Sequence, residues 1–307
     1  MKKKLLSLLL SCALCLTLLP AAALAADGTT AKVTTADELT AAVTEKTVST
    51  IKLGADINVT STIGIRRTVN LDLNDHVLRM TGDGNVIEVG NGGDLTLVDD
   101  AQTKTPKYFD RGDNGLWTLR TDDTETEYTI TGGVITGGKS KTAAGYRTGG
   151  GVDVYGGTFT MTGGSIVGCV ATGDAHLGSS SGGVCAEDGT FIINGGSIVD
   201  CTADDSRSEA LYLGDRVNST ISISGGTFNG ELTNHGTIAD SAYVTVTFDL
   251  KDGSDAAAQK VVKGQKVAEP NDVAKEGYTL AWCADEDCTQ TYDFDTPVTA
   301  DVTLYAK

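Results

Sequence analysis

The side chains best suited to chemistry fall in three short polar segments. Tyr146 and Arg147 end Lys139-Ser-Lys-Thr-Ala-Ala-Gly-Tyr-Arg, Asp174 and His176 lie in Thr172-Gly-Asp-Ala-His, and Asp204, Asp205 and Arg207 lie in Ala203-Asp-Asp-Ser-Arg-Ser-Glu. Brought together, a Tyr ring could lie on a sugar face while Asp and Arg bond hydroxyls, which would make a glycan groove. The same residues also read as solvated loop charge. Hydrolysis needs two carboxylates about 5 to 9.5 Å apart. Asp204 and Asp205, adjacent in the chain, would tend to point apart and leave Asp174 as the evident partner. A lyase would want a Lys or Arg base beside a calcium-binding group of acids, and Lys139, Lys141 and Arg207 read as surface residues. Asn74-Asp75-His76 has the residue types of an acid/base pair but sits between two strand-like runs and reads as a turn. No catalytic residue, cofactor or metal is expected: His76, His176 and His235 are scattered, and no mature Cys lies in a C-x-x-C.

Whether those segments meet depends on the elements that carry them. Residues 150–171 realign without a gap on 182–203, with 13 of 22 positions identical, 32 residues on. Weaker copies begin at Tyr128 and Ile221, so the period is about 31 residues and implies stacked units. Each unit holds short alternating runs, such as Val152 to Tyr155, Thr158 to Thr162 and Ser165 to Cys169, punctuated by Gly-Gly. Strands this short, turned by glycine without helices, stack as coils of a β-solenoid. Alternation turns Val152, Val154, Phe159, Met161 and Ile166 inward, and coils at ~4.8 Å line them into ladders. The three polar segments then leave one corner of successive coils.

Upstream, Thr50-Ile-Lys-Leu, Val69-Asn-Leu-Asp-Leu, Val86-Ile-Glu-Val and Leu95-Thr-Leu-Val carry the same alternation, so about six coils begin near residue 50. Thr35-Ala-Asp-Glu38 is a capping box opening a short amphipathic helix, read as the lid over the first coil. With "TIKLGADINV", "VNLDLNDHVLRMTGDGNVIEVGNGGDLTLVDD" and the "TGGSI" repeats, residues 33–240 resemble the right-handed parallel β-helix of pectate-lyase-like proteins. That resemblance implies an exported protein of a carbohydrate-facing class. The "NTD", "DD" and "GHG" set of polygalacturonases is missing.

From Tyr243 the pattern changes. "VTF", "KEGYT", Trp282 and "YDFDTPVTADVTLYAK" make residues 243–307 similar to a Listeria–Bacteroides repeat, the internalin-type B repeat. The resemblance implies a small β-grasp-like module with a spacer or adhesive role and no catalytic residues. The small polar stretch Ala239-Asp-Ser-Ala242 reads as a hinge between two cores. The fold expected is therefore all-β.

Residues 1–25 read as a signal peptide: Lys2 to Lys4, an apolar run from Leu5, then Ala23-Leu-Ala25. Removing its three lysines takes the formal charge from −17 to −20, which argues against nucleic acid or an anionic membrane surface as partner. No other run approaches the ~20 apolar residues that span a bilayer. No Leu-Pro-x-Thr-Gly signal is present, so secretion with release or non-covalent retention at the cell envelope is expected. Of the five mature cysteines, Cys169 and Cys201 occupy equivalent positions and read as reduced rungs, while Cys283 and Cys288 enclose four residues and form the disulfide candidate. Two functions stand. One is a non-catalytic surface or matrix protein, adhesin-like, whose flank binds a glycan or a host or bacterial surface protein. The other is a polysaccharide lyase or glycoside hydrolase.

Overall fold

The computed structural model describes residues 30–111, 117–120, 128–141, 148–172, 181–203, 209–213, 219–228, 231–234, 237–238, 242–253, 257–270 and 281–307. The segment read as a signal peptide lies outside them.

Three parallel sheets form the larger part. The first takes Thr30–Val33, Thr50–Leu53, Thr68–Asp72, Asp94–Val98, Thr158–Met161, Thr190–Ile193, Thr220–Ile223 and Thr237–Ile238 in that order. The second runs Ile57–Val59, Val77–Met80, Val134–Thr136, Ser165–Val167, Ser197–Val199, Thr227–Phe228. The third runs Ile63–Ile65, Ile87–Val89, Val152–Tyr155, Val184–Glu187, Glu209–Leu213, Glu231–Asn234. From Thr50 onward the chain visits first, second and third sheet in turn and starts again, as expected for a parallel β-helix.

Register follows the sequence repeat. Val152 pairs with Val184, Phe159 with Phe191 and Ile166 with Ile198. Inside, Leu95, Phe159, Phe191 and Ile221 form one buried ladder, and Leu78, Ile135, Ile166, Ile198 and Phe228 another. The Phe159 and Phe191 rings stack with centroids 5.1 Å apart, as in-register strands require. The Gly-Gly corners divide two tasks. A Cβ on Gly195 would stand 2.5 Å from the Thr162 carbonyl oxygen, so the first glycine permits close approach. Gly196, at φ +84, takes the left-handed turn.

The helix Ala36–Thr44 starts where the capping box predicts: the Glu38 amide donates to Thr35 Oγ1 at 3.2 Å. The Glu38 carboxylate accepts from the Thr34 amide at 2.7 Å, a reach one residue beyond the standard box. Leu39, Ala42 and Val43 are buried in the solenoid core. The Arg67 guanidinium donates to the Ala42 and Val43 carbonyls at 2.7 and 2.9 Å, satisfying the last helical turn.

One expectation is corrected. Tyr128–Thr131 copies the repeat in sequence, yet it is not a solenoid strand, because Asp94–Val98 already pairs with Thr158–Met161. It pairs antiparallel with Pro106–Arg111, which also holds Trp117–Arg120. This three-stranded insertion packs on the outer face of the second sheet, with Phe109 and Ile130 buried against Val77, Val134, Val167 and Val199.

The C-terminal part is a four-stranded mixed sheet, ordered Ala257–Val262, Tyr243–Asp249, Val302–Ala306, Trp282–Cys283. Val244, Val246 and Phe248 alternate inward against Val267, Trp282, Val298 and Leu304. It touches the solenoid. Ala242 is buried in the solenoid core and Val262 packs on it. Lys263 donates its amide to the Ala242 carbonyl at 2.8 Å and its ammonium to Ser224 at 3.3 Å. Gly264, at φ +85, lies so near the Phe228 ring that a Cβ would stand 3.0 Å away. Of the stretch read as a hinge, only Ala242 is described, and it is fully buried.

Candidate functional site

Tyr146, Arg147, Asp174, His176, Asp204, Asp205 and Arg207 all lie outside the described residues. The strands at the roots of their loops are described. Lys139–Lys141, Val170–Thr172 and Thr202–Ala203 form a fourth, parallel sheet, with Lys139 beside Val170 and Val170 beside Thr202. On the return side, Gly149 bridges Ser181. Parallel pairing of the strands ahead of them therefore stacks the three loop starts at one corner.

Asn74 and Asp75 adopt φ 47 and 63, a turn as read from sequence. Burial would raise the Asp75 carboxyl, but hydrogen bonds from the Thr105 amide at 2.9 Å and hydroxyl at 2.7 Å, with Lys107 at 3.0 Å, outweigh it and hold it below the usual carboxylate range. Asp99 is likewise lowered against burial, by the Gly133 and Asp75 amides at 3.0 and 2.7 Å and by Lys104 at 2.9 Å. Both carboxylates pin the start of the inserted sheet. His76 turns instead to Asp56, with Nδ1 3.4 Å from its carboxylate.

A different carboxylate group emerges on the outside of the third sheet. Glu88 pairs in register with Asp153, and Tyr155 with Glu187. Burial pushes Asp153 up to about 7; a hydrogen bond from the Gly149 amide opposes it, and the Glu88 and Glu187 charges add to it. Arg66 ion-pairs with Glu88. Asp153 is thus poised to hold or release a proton near neutrality. Each of the three acids is an unremarkable outward position of a strand, so only register brings them together.

At the corner between third and first sheets lies an open, mostly polar groove of about 460 Å³, lined by Asn91, Gly156, Thr158, Asp188 and Thr190 among others. Thr158 and Thr190 pair in register, and Thr220 donates to Thr190 at 3.1 Å. The site was not legible because its glycines read as corners. Among the described residues no group of three His, Cys, Asp or Glu could hold a metal ion, and no helix is long and apolar enough to cross a membrane.

Cys283 and Cys288 are both thiols, the first buried and the second half-buried. Burial first, then a hydrogen bond with Cys288, pushes the Cys283 thiol up.

No curated protein and no solved structure matches the chain. Two family models do: residues 30–158 match the pectate lyase-like adhesive domain and residues 245–307 the Listeria-Bacteroides repeat domain. The first match covers the helix, the early coils and the inserted sheet, and the sheets it begins run on without interruption through the tandem copies after residue 158. The chain therefore carries a pectate lyase-like adhesive domain, prolonged by further coils of the same stack, and ends in a Listeria-Bacteroides repeat domain.

Proposed function

We propose that this is an exported, non-catalytic adhesin-like protein of the cell surface or matrix. Residues 1–25 act as its signal peptide, residues 33–240 form a right-handed β-helix, and residues 243–307 form a β-grasp-like repeat. One flank of the solenoid binds a glycan or a surface protein through Tyr146, Arg147, Asp174, His176, Asp204, Asp205 and Arg207. The observation that carries the reading is the adhesive-domain match continuing into a stack whose loop starts are superposed coil on coil. Such a stack multiplies one weak contact along its length, which suits adhesion. The test is a panel of neutral and acidic polysaccharides assayed for retention and for cleavage. Retention without cleavage, weakened by Tyr146→Ala and Arg147→Ala, supports the proposal. Turnover abolished by Asp174→Ala or Asp205→Ala overturns it.

A second reading rests on Asp153. A carboxyl at about 7, in register with a Glu88 that ion-pairs with Arg66, has the raised pKa that a general acid needs. Release of reducing ends that Asp153→Asn abolishes would move the site to this face and make the chain a glycoside hydrolase.

A further inference from the structure

We infer that Cys283 and Cys288 form a thiol–disulfide couple that clasps the end of the C-terminal strand, with exchange beginning at Cys288. Cys283 is fully buried, pairs with Tyr305 in the sheet and bridges Thr291. Cys288 is half-buried at a left-handed position, φ 52, and its thiol lies 3.9 Å from the carbonyl oxygens of both Tyr305 and Ala306. Its own carbonyl accepts from Lys307 Nζ at 3.3 Å. Both cysteines thus lie against the same residue, Tyr305, of the C-terminal strand.

The loop between them is already in place. Asp285 accepts from the Thr289 amide at 3.0 Å and hydroxyl at 3.1 Å and from the Gln290 amide at 3.0 Å, and its carbonyl accepts from the Cys288 amide at 3.0 Å. Little chain entropy remains to be lost when the sulfurs join. The other thiol pair makes the contrast. Cys169 and Cys201 are also neighbours, but both are wholly buried on adjacent in-register rungs, where β carbons run parallel and no reagent arrives. Burial holds both the Cys201 and the Cys283 thiols up, so neither is the group that attacks first.

The exchange balances as follows. The Cys288 thiolate attacks one sulfur of a small disulfide and expels one thiol, leaving a mixed disulfide on Cys288. Cys283 then gives its proton to solvent and attacks Cys288 Sγ, which releases the second thiol. Two protein thiols are oxidised and one external disulfide becomes two thiols.

The test treats the full chain with oxidised glutathione, alkylates the remaining thiols and maps peptides. The expected result is a 283–288 link, with Cys169 and Cys201 still reduced and a rise in thermal midpoint that dithiothreitol reverses. Cys283→Ser should trap glutathione on Cys288, while in Cys288→Ser the thiol of Cys283 should react at least about tenfold more slowly. Any of three results would overturn the inference: both thiols alkylating after oxidation of chain that keeps its native circular dichroism, Cys288 linking a second copy instead, or Cys283 reacting as fast as Cys288.

Discussion

In the solenoid each strand bonds to its equivalents one coil away, as Ser165 does to Ser197 at a separation of 32 residues. In the C-terminal sheet, Tyr243–Asp249 is flanked by the strand that follows it and by Val302–Ala306, and the Thr245 amide reaches the Asp301 carboxylate across 56 residues. The first arrangement is a sum of neighbour terms, so damage stays local until it spreads. The second closes only when its ends meet, so it forms as a whole. The two meet where Gly264 lies on Phe228, the last rung of a solenoid ladder. That contact covers an end at which apolar rungs and a strand edge would otherwise face water. The repeat is placed to cap that end of the stack.

The largest effect should come from Ile198→Asp. It puts an unpaired charge between Ile166 and Phe228, both buried, and should cost about 4 kcal/mol. Thermal unfolding should show one transition moving as a whole. A solenoid transition that falls while a second stays fixed would separate the two regions and make the repeat an independently folded unit.

Asp153→Asn tests the solenoid alone. A carboxyl raised from 3.8 to about 7 on folding binds its proton more tightly in the folded chain. The penalty of ionising it is absent below the unfolded value, grows as pH rises toward 7 and then levels off. The variant should therefore gain about 4 kcal/mol at pH 8 and nothing at pH 3. Equal gain at both would remove the burial argument. Gly264→Val sharpens the junction. A β-branched residue at φ +85 against the Phe228 ring should cost about 2 kcal/mol and split one unfolding transition into two.

The smallest effect should be local. Asp99→Asn weakens the bonds to Gly133, Asp75 and Lys104 by about 1.5 kcal/mol and should speed proteolysis within residues 106–131 before it moves the midpoint. Because Asp99 and Asp75 are lowered on folding, their contribution is complete above the ordinary carboxylate range. Protection of the insertion should be lost as pH falls below that range.

The repeat of 32 residues, the alternation of Val152, Phe159 and Ile166, the Gly-Gly corners and the Thr35-Glu38 box were sufficient for the stack, its register and its lid, because a period states which residue lies over which. The change of pattern after residue 242 was sufficient for the second module. Three features were decided only by tertiary structure. Tyr128–Thr131 has the alternation of a solenoid strand and pairs antiparallel outside it, since alternation specifies a buried face and not the partner that buries it. Glu88, Asp153 and Glu187 are 65 and 34 residues apart along the chain, and only strand pairing makes their charges neighbours. The contact of Gly264 with Phe228 is the third, because a glycine in sequence records the freedom of its own backbone, and the ring that fills the space it leaves comes from another fold unit.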